Sequence, residues 1–272
     1  MEPTILFEDD DLLVIDKPAG VTVNRSDTTK GGETIQDWSE EYLKIRSTKH
    51  ALVPSPKRGE IRNNSEMQNS NDKNGFDIRN SDFEFSNRGG IVHRLDKETS
   101  GILLIAKNPI AFAHLQVQFK ERTVKKSYLA LAHGRLLPPD GEIRAPVGRL
   151  PWNRKQFGIV AGGRESVTRY KTIANFKSNS TDETLSLVEL YPETGRTHQI
   201  RVHLKYIGYP IFADFLYAGR KTARDDRKLL SRVFLHAAKI SFTHPTTHEH
   251  ISFESPLPED LQSFLESLEK VD

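Results

Sequence analysis

Apolar residues near the start of the chain fall into two short blocks. Ile5-Leu6-Phe7 and Leu12-Leu13-Val14-Ile15 flank the acidic triplet Asp9-Asp10-Asp11. Such a pattern predicts a hairpin whose second strand is buried on both faces. Lys17-Pro18-Ala19-Gly20 ends that strand, because Pro cannot donate to a ladder and Gly permits the turn. A short helix is predicted over residues 34–45. From about 54 to 90 the pattern disappears. Asn63, Asn64, Asn69, Asn71, Asn74, Asn80 and Asn87 alternate with Ser, Asp and Glu. This composition is too polar to offset its ordering entropy, so a low-complexity, flexible insertion is expected there. Phe76, Phe83 and Phe85 are its only large apolar residues besides Ile61, Met67 and Ile78.

Order returns at Ile91. The run GILLIA (101–106) predicts a fully buried strand. Asn108-Pro109 then supplies an N-cap and a first-turn proline for a helix to about Glu121, with Phe112, Leu115 and Phe119 on one face. Strands are predicted over 125–132, 167–173 and 184–191, and a helix over 197–207 with Thr197 as its N-cap. Strict alternation of Phe234, His236, Ala238, Ile240 and Phe242 predicts another strand, and Leu261, Phe264, Leu265 and Leu268 a terminal amphipathic helix. No repeat is visible. Runs of strands with few intervening helices predict an α+β fold rather than a doubly wound sheet.

Composition narrows the function classes. The 272 residues include no Cys, which excludes disulfides, thiolate metal sites and a Cys nucleophile. No apolar run approaches the ~20 residues of a membrane span. The early acidic triplet is incompatible with a secretion signal. A cytoplasmic protein without a membrane partner is therefore expected. Lys and Arg number 39 against 37 Asp and Glu, so any nucleic-acid surface must be a local concentration of charge.

Two polar clusters stand out. His93-Arg94-Leu95-Asp96-Lys97-Glu98 leads through Thr99-Ser100-Gly101 into the buried strand. A side chain there sits at a sheet edge on a rigid backbone. Asp96 is the candidate carboxylate; the ordinary alternative is a turn or cap residue. The second cluster is TGRTHQIRVH (194–203), where His198, Arg201 and Lys205 share one helix face. A solvated basic helix is the plain reading. A packed helix would instead bury Arg201, and a buried Arg needs a carboxylate, for which Asp96 is the obvious candidate. Dinucleotide, P-loop and G-x-S-x-G motifs are absent. His198 and His203 are five residues apart, on different helix faces, and His244, His248 and His250 surround a turn, so no metal site is indicated.

The pair HRLDKETSG (93–101) and TGRTHQIRVHL (194–204) resembles the signature motifs of the RluA-type pseudouridine synthases. VIDKPAG (14–20), Lys126-Ser127-Tyr128-Leu129-Ala130, the run Gly208, Pro210, Ile211, Asp214, Tyr217, then LHA (235–237) and THP (243–245), match further family segments in order. The resemblance spans nearly the whole chain. It implies the pseudouridine synthase fold, a large, mostly antiparallel central sheet flanked by helices with an active-site cleft across it. It also implies one catalytic domain over residues 1–272. The 54–90 insertion is longer than the family's usual spacer, and the small N-terminal RNA-binding domain of some relatives is expected to be absent.

The implied reaction breaks a uridine's glycosidic bond, turns the base and rejoins it through a ring carbon. It conserves every atom, so no cofactor or metal is implied. By resemblance Asp96 is the carboxylate beside the anomeric carbon, Arg201 holds it charged, and Tyr128 stacks on the base. Arg94 would fill the space of the flipped uridine. His93, Arg196, His198 and Lys126, in or beside the same motifs, are expected to bind RNA. The expected partner is ribosomal or transfer RNA, with ribosomal RNA favoured, and a monomer without an obligate protein partner is expected. Two other classes stay open on the residues: a glycosidase pairing Asp96 with Glu98, and an inactive RNA-binding relative.

Overall fold

The computed structural model describes residues 2–25, 33–44, 78–178 and 183–271. The expected hairpin is β1 (Thr4–Glu8) and β2 (Leu12–Lys17), antiparallel. Asp9 makes its turn by accepting the Asp11 and Leu12 amides at 2.8 and 2.7 Å. Helix α1 (Ile35–Tyr42) starts at Thr34, which forms a capping box with Asp37. After α2 (Ile78–Arg88) comes β3 (Ser100–Ala106), every residue of which is buried. Asn108 caps α3 (Pro109–Glu121) by accepting from the Ala111 amide. The chain continues through β4 (Lys125–His133), β5 (Asp140–Arg144), β6 (Val147–Leu150), β7 (Asn153–Ile159), β8 (Val167–Lys177) and β9 (Thr184–Pro192). It ends with α4 (Gln199–Tyr206), α5 (Arg220–Asp226), β10 (Leu235–Thr243), β11 (His250–Glu254), α6 (Glu259–Glu266) and β12 (Glu269–Val271).

Ten strands form one sheet in the order β1-β2-β3-β10-β4-β9-β8-β12, with β11 on β10 and β5 on β8. Among the described residues, the β3–β10 pairing is its one parallel contact. This contact needs Gly101, whose φ is +112°; a Cβ there would lie 2.3 Å from the Ala237 carbonyl oxygen. Ser100 Oγ and His236 Nδ1, 3.0 Å apart, tie the same junction. The HRLD segment is thereby delivered to the middle of the sheet by its own downstream strand. Strands β6 and β7 form a separate two-stranded sheet, joined to α4 through Val147, Val202 and Tyr217. The α+β expectation and the mostly antiparallel sheet are both present.

Two expectations change. The patternless stretch runs from 54 to 90, yet residues 78–88 form α2. Phe85 is only 7% exposed and meets the ring of Phe112 at 6.0 Å, edge to face. The Asn87 and Gly89 carbonyls accept from Gln36 and Ser39 of α1. One aromatic plug and two backbone bonds to a neighbouring helix hold α2, so no apolar period was needed. The expected insertion from 54 to 77 lies outside the described residues. At α4, the N-cap is His198 in the left-handed region (φ 57°), not Thr197. Gln199 compensates by accepting from Thr194 Oγ1 and the Arg196 amide.

His133, at the end of β4, anchors α5. Its Nε2 lies 2.9 Å from Asp226 Oδ2 and its Nδ1 3.0 Å from Glu183 Oε1. Burial pulls its pKa down, but the bonds to Asp226 and Glu183 outweigh burial and raise it to about 9. A His raised above its unfolded value of ~6.5 stabilises fully below that pH and loses the contribution as pH climbs through 9. The melting temperature of His133→Gln minus that of wild type is therefore expected to rise between pH 6.5 and 9. A pH-independent difference would show that this ring does not gain a proton on folding.

Candidate active site

The Asp96 loop is held from beneath by the opening motif. Lys17, fully buried, donates from Nζ to the carbonyls of Pro18 (2.8 Å), Val21 (3.0 Å) and Lys97 (3.3 Å). The Gly20 amide also donates to the Lys97 carbonyl, at 2.8 Å. Burial and the neighbouring Arg232 push the Lys17 pKa down to about 7, against the pull of Asp96 and Asp16. The motif 14–20 thus supports the turn that carries Asp96, 80 residues away.

Arg201 reaches this loop from α4. Its Nη1 donates to Asp96 Oδ2 at 3.1 Å. Its stronger partner is Asp214, bound by Nε at 2.7 Å and Nη2 at 2.8 Å in a fork. Asp214 has no exposed side-chain surface, whereas Asp96 keeps 17%. The Leu216 and Tyr217 amides also donate to Asp214, and the Arg201 guanidinium lies 5.0 Å from the centre of the Tyr217 ring. Burial works against the Arg201 charge, and the two carboxylates, Asp214 first, more than offset it and raise its pKa. The expected contact between Arg201 and Asp96 is present, and Asp214 is a second, deeper partner that the sequence reading did not name. The arginine is anchored by Asp214 and presents its remaining edge to Asp96. Sequence reasoning gave Asp214 and Tyr217 no role. The signal available was a buried guanidinium whose five donors one partly exposed carboxylate cannot satisfy.

Tyr128, on β4, is half-buried and faces the same space; burial and the Asp96 charge raise its pKa, so it stays a neutral phenol. His198 places Nε2 3.8 Å from Asp96 Oδ2 and Nδ1 2.8 Å from the Tyr217 hydroxyl. That hydroxyl also accepts from the Phe157 amide, at 3.0 Å, so Tyr217 ties His198 to β7. Burial lowers the His198 pKa, which agrees with a neutral ring. His93 accepts the Leu104 amide at Nε2 (3.0 Å) and stacks on Phe119 at 5.0 Å. Burial, then Lys126 and Arg88, push its pKa down to about 3. It is a neutral brace for β3, not a cation.

All eight residues singled out from the sequence line one cavity of about 520 Å³ between the Asp96 loop, the end of α3 and the β9–α4 loop. Its wall carries Arg88, Arg94, Lys120, Arg122, Lys126 and Arg196. None of these six makes a salt bridge among the described residues. Arg196 buries its Nε without an acceptor, and burial, Arg164 and Arg122 lower its pKa. Lys126 lies 5.8 Å from the Phe119 ring centre, and burial brings its pKa to about 8. A buried donor without an acceptor, and clustered cations without salt-bridge partners, are costly unless something anionic arrives. Glu98, the second carboxyl a glycosidase would require, does not line the cavity; Arg227 holds it at 2.6 and 3.1 Å.

Comparison with known proteins identifies the family. The family model "RNA pseudouridylate synthase" matches residues 11–206. The uncharacterized RNA pseudouridine synthase YlyB of Bacillus subtilis is 35% identical over 99% of this chain and 74% of its own length. Ribosomal large subunit pseudouridine synthase D of Neisseria meningitidis serogroup B is 34% identical over 97% of this chain; the chain spans 60% of that relative. Ribosomal large subunit pseudouridine synthase C of Vibrio vulnificus is 35% identical over 98% of this chain and 70% of its own length. Among solved structures, human RNA pseudouridylate synthase domain containing 1 superposes with a TM-score of 0.67 at 25% identity, covering 99% of this chain and 89% of that one. Sequence motifs, fold and relatives that match nearly all of this chain converge, and this chain belongs to the RluA-type family of RNA pseudouridine synthases, intramolecular isomerases of uridine in RNA.

Proposed function

We propose that the chain isomerises uridines in ribosomal RNA, acting in the cytoplasm, with Asp96 as its reacting carboxylate. The observation that carries this reading is a partly exposed carboxylate lining a cavity whose six wall cations make no salt bridge among the described residues. Phosphates along the strand supply counterions and position the RNA without reading its sequence. Uridine flipped into the cavity stacks on Tyr128, and exposed Arg94 occupies the vacated place, offsetting part of an unstacking cost of a few kcal/mol. Asp96 then acts on the sugar, as nucleophile at the anomeric carbon or as base at its neighbour, while Arg201 orients it. The C1′–N1 bond breaks, C1′–C5 forms, and the C5 proton is given up as N1 regains one. The ribosomal preference rests on the relatives named as large-subunit synthases.

Pseudouridine mapping in total RNA, with and without the gene, tests the target. Loss of defined sites in large-subunit ribosomal RNA is the expected result; loss confined to transfer RNA would overturn it. With purified protein and a labelled transcript, isomerisation without mass change or release of base is expected. Released base or sugar would favour the glycosidase, and binding without turnover the inactive relative.

A further inference from the structure

Glu98 follows Asp96 by two residues, and Arg227 holds both its oxygens, Nη2 to Oε2 at 2.6 Å and Nη1 to Oε1 at 3.1 Å. The Nε of the same guanidinium donates to the Ala213 carbonyl at 2.7 Å. Ala213 immediately precedes Asp214, the anchor of Arg201. It sits in the left-handed region at φ 59°, a conformation that a non-glycine residue keeps only where its surroundings impose it. Its amide donates to Asp226 Oδ2 at 2.9 Å, so both of its backbone polar groups are clamped. The Val233 amide further holds Glu98 Oε2, at 3.3 Å. A closed circuit results: Asp96 to Glu98 along the chain, to Arg227, to Ala213 and Asp214, to Arg201, and back to Asp96 at 3.1 Å.

We propose that Arg227 is a positioning residue for the isomerisation, bridging the Asp96 loop to the Asp214 loop and thereby setting how Asp96 meets Arg201. The proposal rests on the reading that Asp96 and Arg201 carry the reaction. Arg227 and Glu98 do not line the cavity, so they act through the two loops and not on RNA. The Asp96 loop is also held by Lys17 beneath Lys97 and by Arg232 Nη1 at the Glu98 carbonyl (3.2 Å), and the Asp214 loop by Asp226 at the Ala213 amide and by the Arg201 fork. The Arg227 fork joins them. Misplacing a reacting group by about 1 Å can cost on the order of 10²-fold in turnover.

The test compares Arg227→Gln, the milder Arg227→Lys, Glu98→Gln and the Arg227→Gln/Glu98→Gln pair on a uridine transcript. Arg25→Gln is the control, because Arg25 makes a similar multi-bond clamp on Asp37 and Glu40 away from the cavity. Folded fraction at the assay temperature is followed by circular dichroism. The expected result is a kcat reduced on the order of 10²-fold for Arg227→Gln at full folding, with KM within about threefold of wild type. Glu98→Gln should fall likewise, and the pair no further than its worse member. Arg25→Gln should keep kcat. A kcat loss that only tracks the unfolded fraction, additive losses in the pair, or a raised KM at unchanged kcat would each overturn the strut. If Arg227→Gln does not fold, Arg227→Lys carries the same criteria. Full activity in Asp96→Asn would instead remove the underlying reading; inactive Asp96→Asn beside normal Arg227→Gln removes the strut alone.

Discussion

Asp96→Asn is expected to abolish turnover by on the order of 10⁴ or more while leaving fold and RNA binding in place. Removal of a nucleophile typically has this effect. The variant should fold because Asp96 is partly exposed, and the Arg201 edge facing it can turn to water or to the new amide oxygen. Asp214 keeps Arg201 in place throughout. Binding should persist because the six wall cations are untouched. Single-turnover assays against a gel-shift measurement check both halves. Residual turnover within about tenfold of wild type would end the assignment of Asp96.

Arg201→Met is expected to lose activity and also to destabilise the protein by ~3–5 kcal/mol, the usual consequence of removing one partner of a buried ion pair. That corresponds to a fall in melting temperature on the order of 10 °C for a domain of this size. The orphaned group is Asp214, fully buried and stripped of two charged bonds, and not Asp96, which reaches water. Adding Asp214→Asn to Arg201→Met should therefore restore much of the stability and none of the turnover. Adding Asp96→Asn should restore little. A thermal double-mutant cycle reads the difference directly. Additive changes in the Arg201–Asp214 cycle would mean that the fork does not exist.

Much of this was legible in the sequence because the elements concerned report themselves by local chemistry. The hairpin announces itself by Asp9 between two apolar blocks, β3 by GILLIA and α3 by Asn108-Pro109. Elements held by few or distant contacts did not. Helix α2 rests on Phe85, and α5 (RKTARDD) buries only Ala223 and Asp226, its place set by His133 on another strand. The short strands β5, β6, β7, β11 and β12 pair at an edge, off the main path or in the separate small sheet, where no strong alternation is demanded. At the site, residue types within a motif were readable, but partnership across motifs was not. The ion pair at 3.1 Å was anticipated from a single argument about burial; that a second, deeper carboxylate holds the same arginine depends on where the 211–217 loop folds back.

The sharing of Arg201 has a consequence for the field inside the cavity. One guanidinium between two carboxylates leaves one formal negative charge beside a wall of six cations that make no salt bridge among the described residues. The field inside the cavity is therefore uneven. On the proposed reading, the cations attract the phosphodiester backbone, while the excess carboxylate charge repels phosphate and favours a carbon that gains positive charge as its glycosidic bond opens.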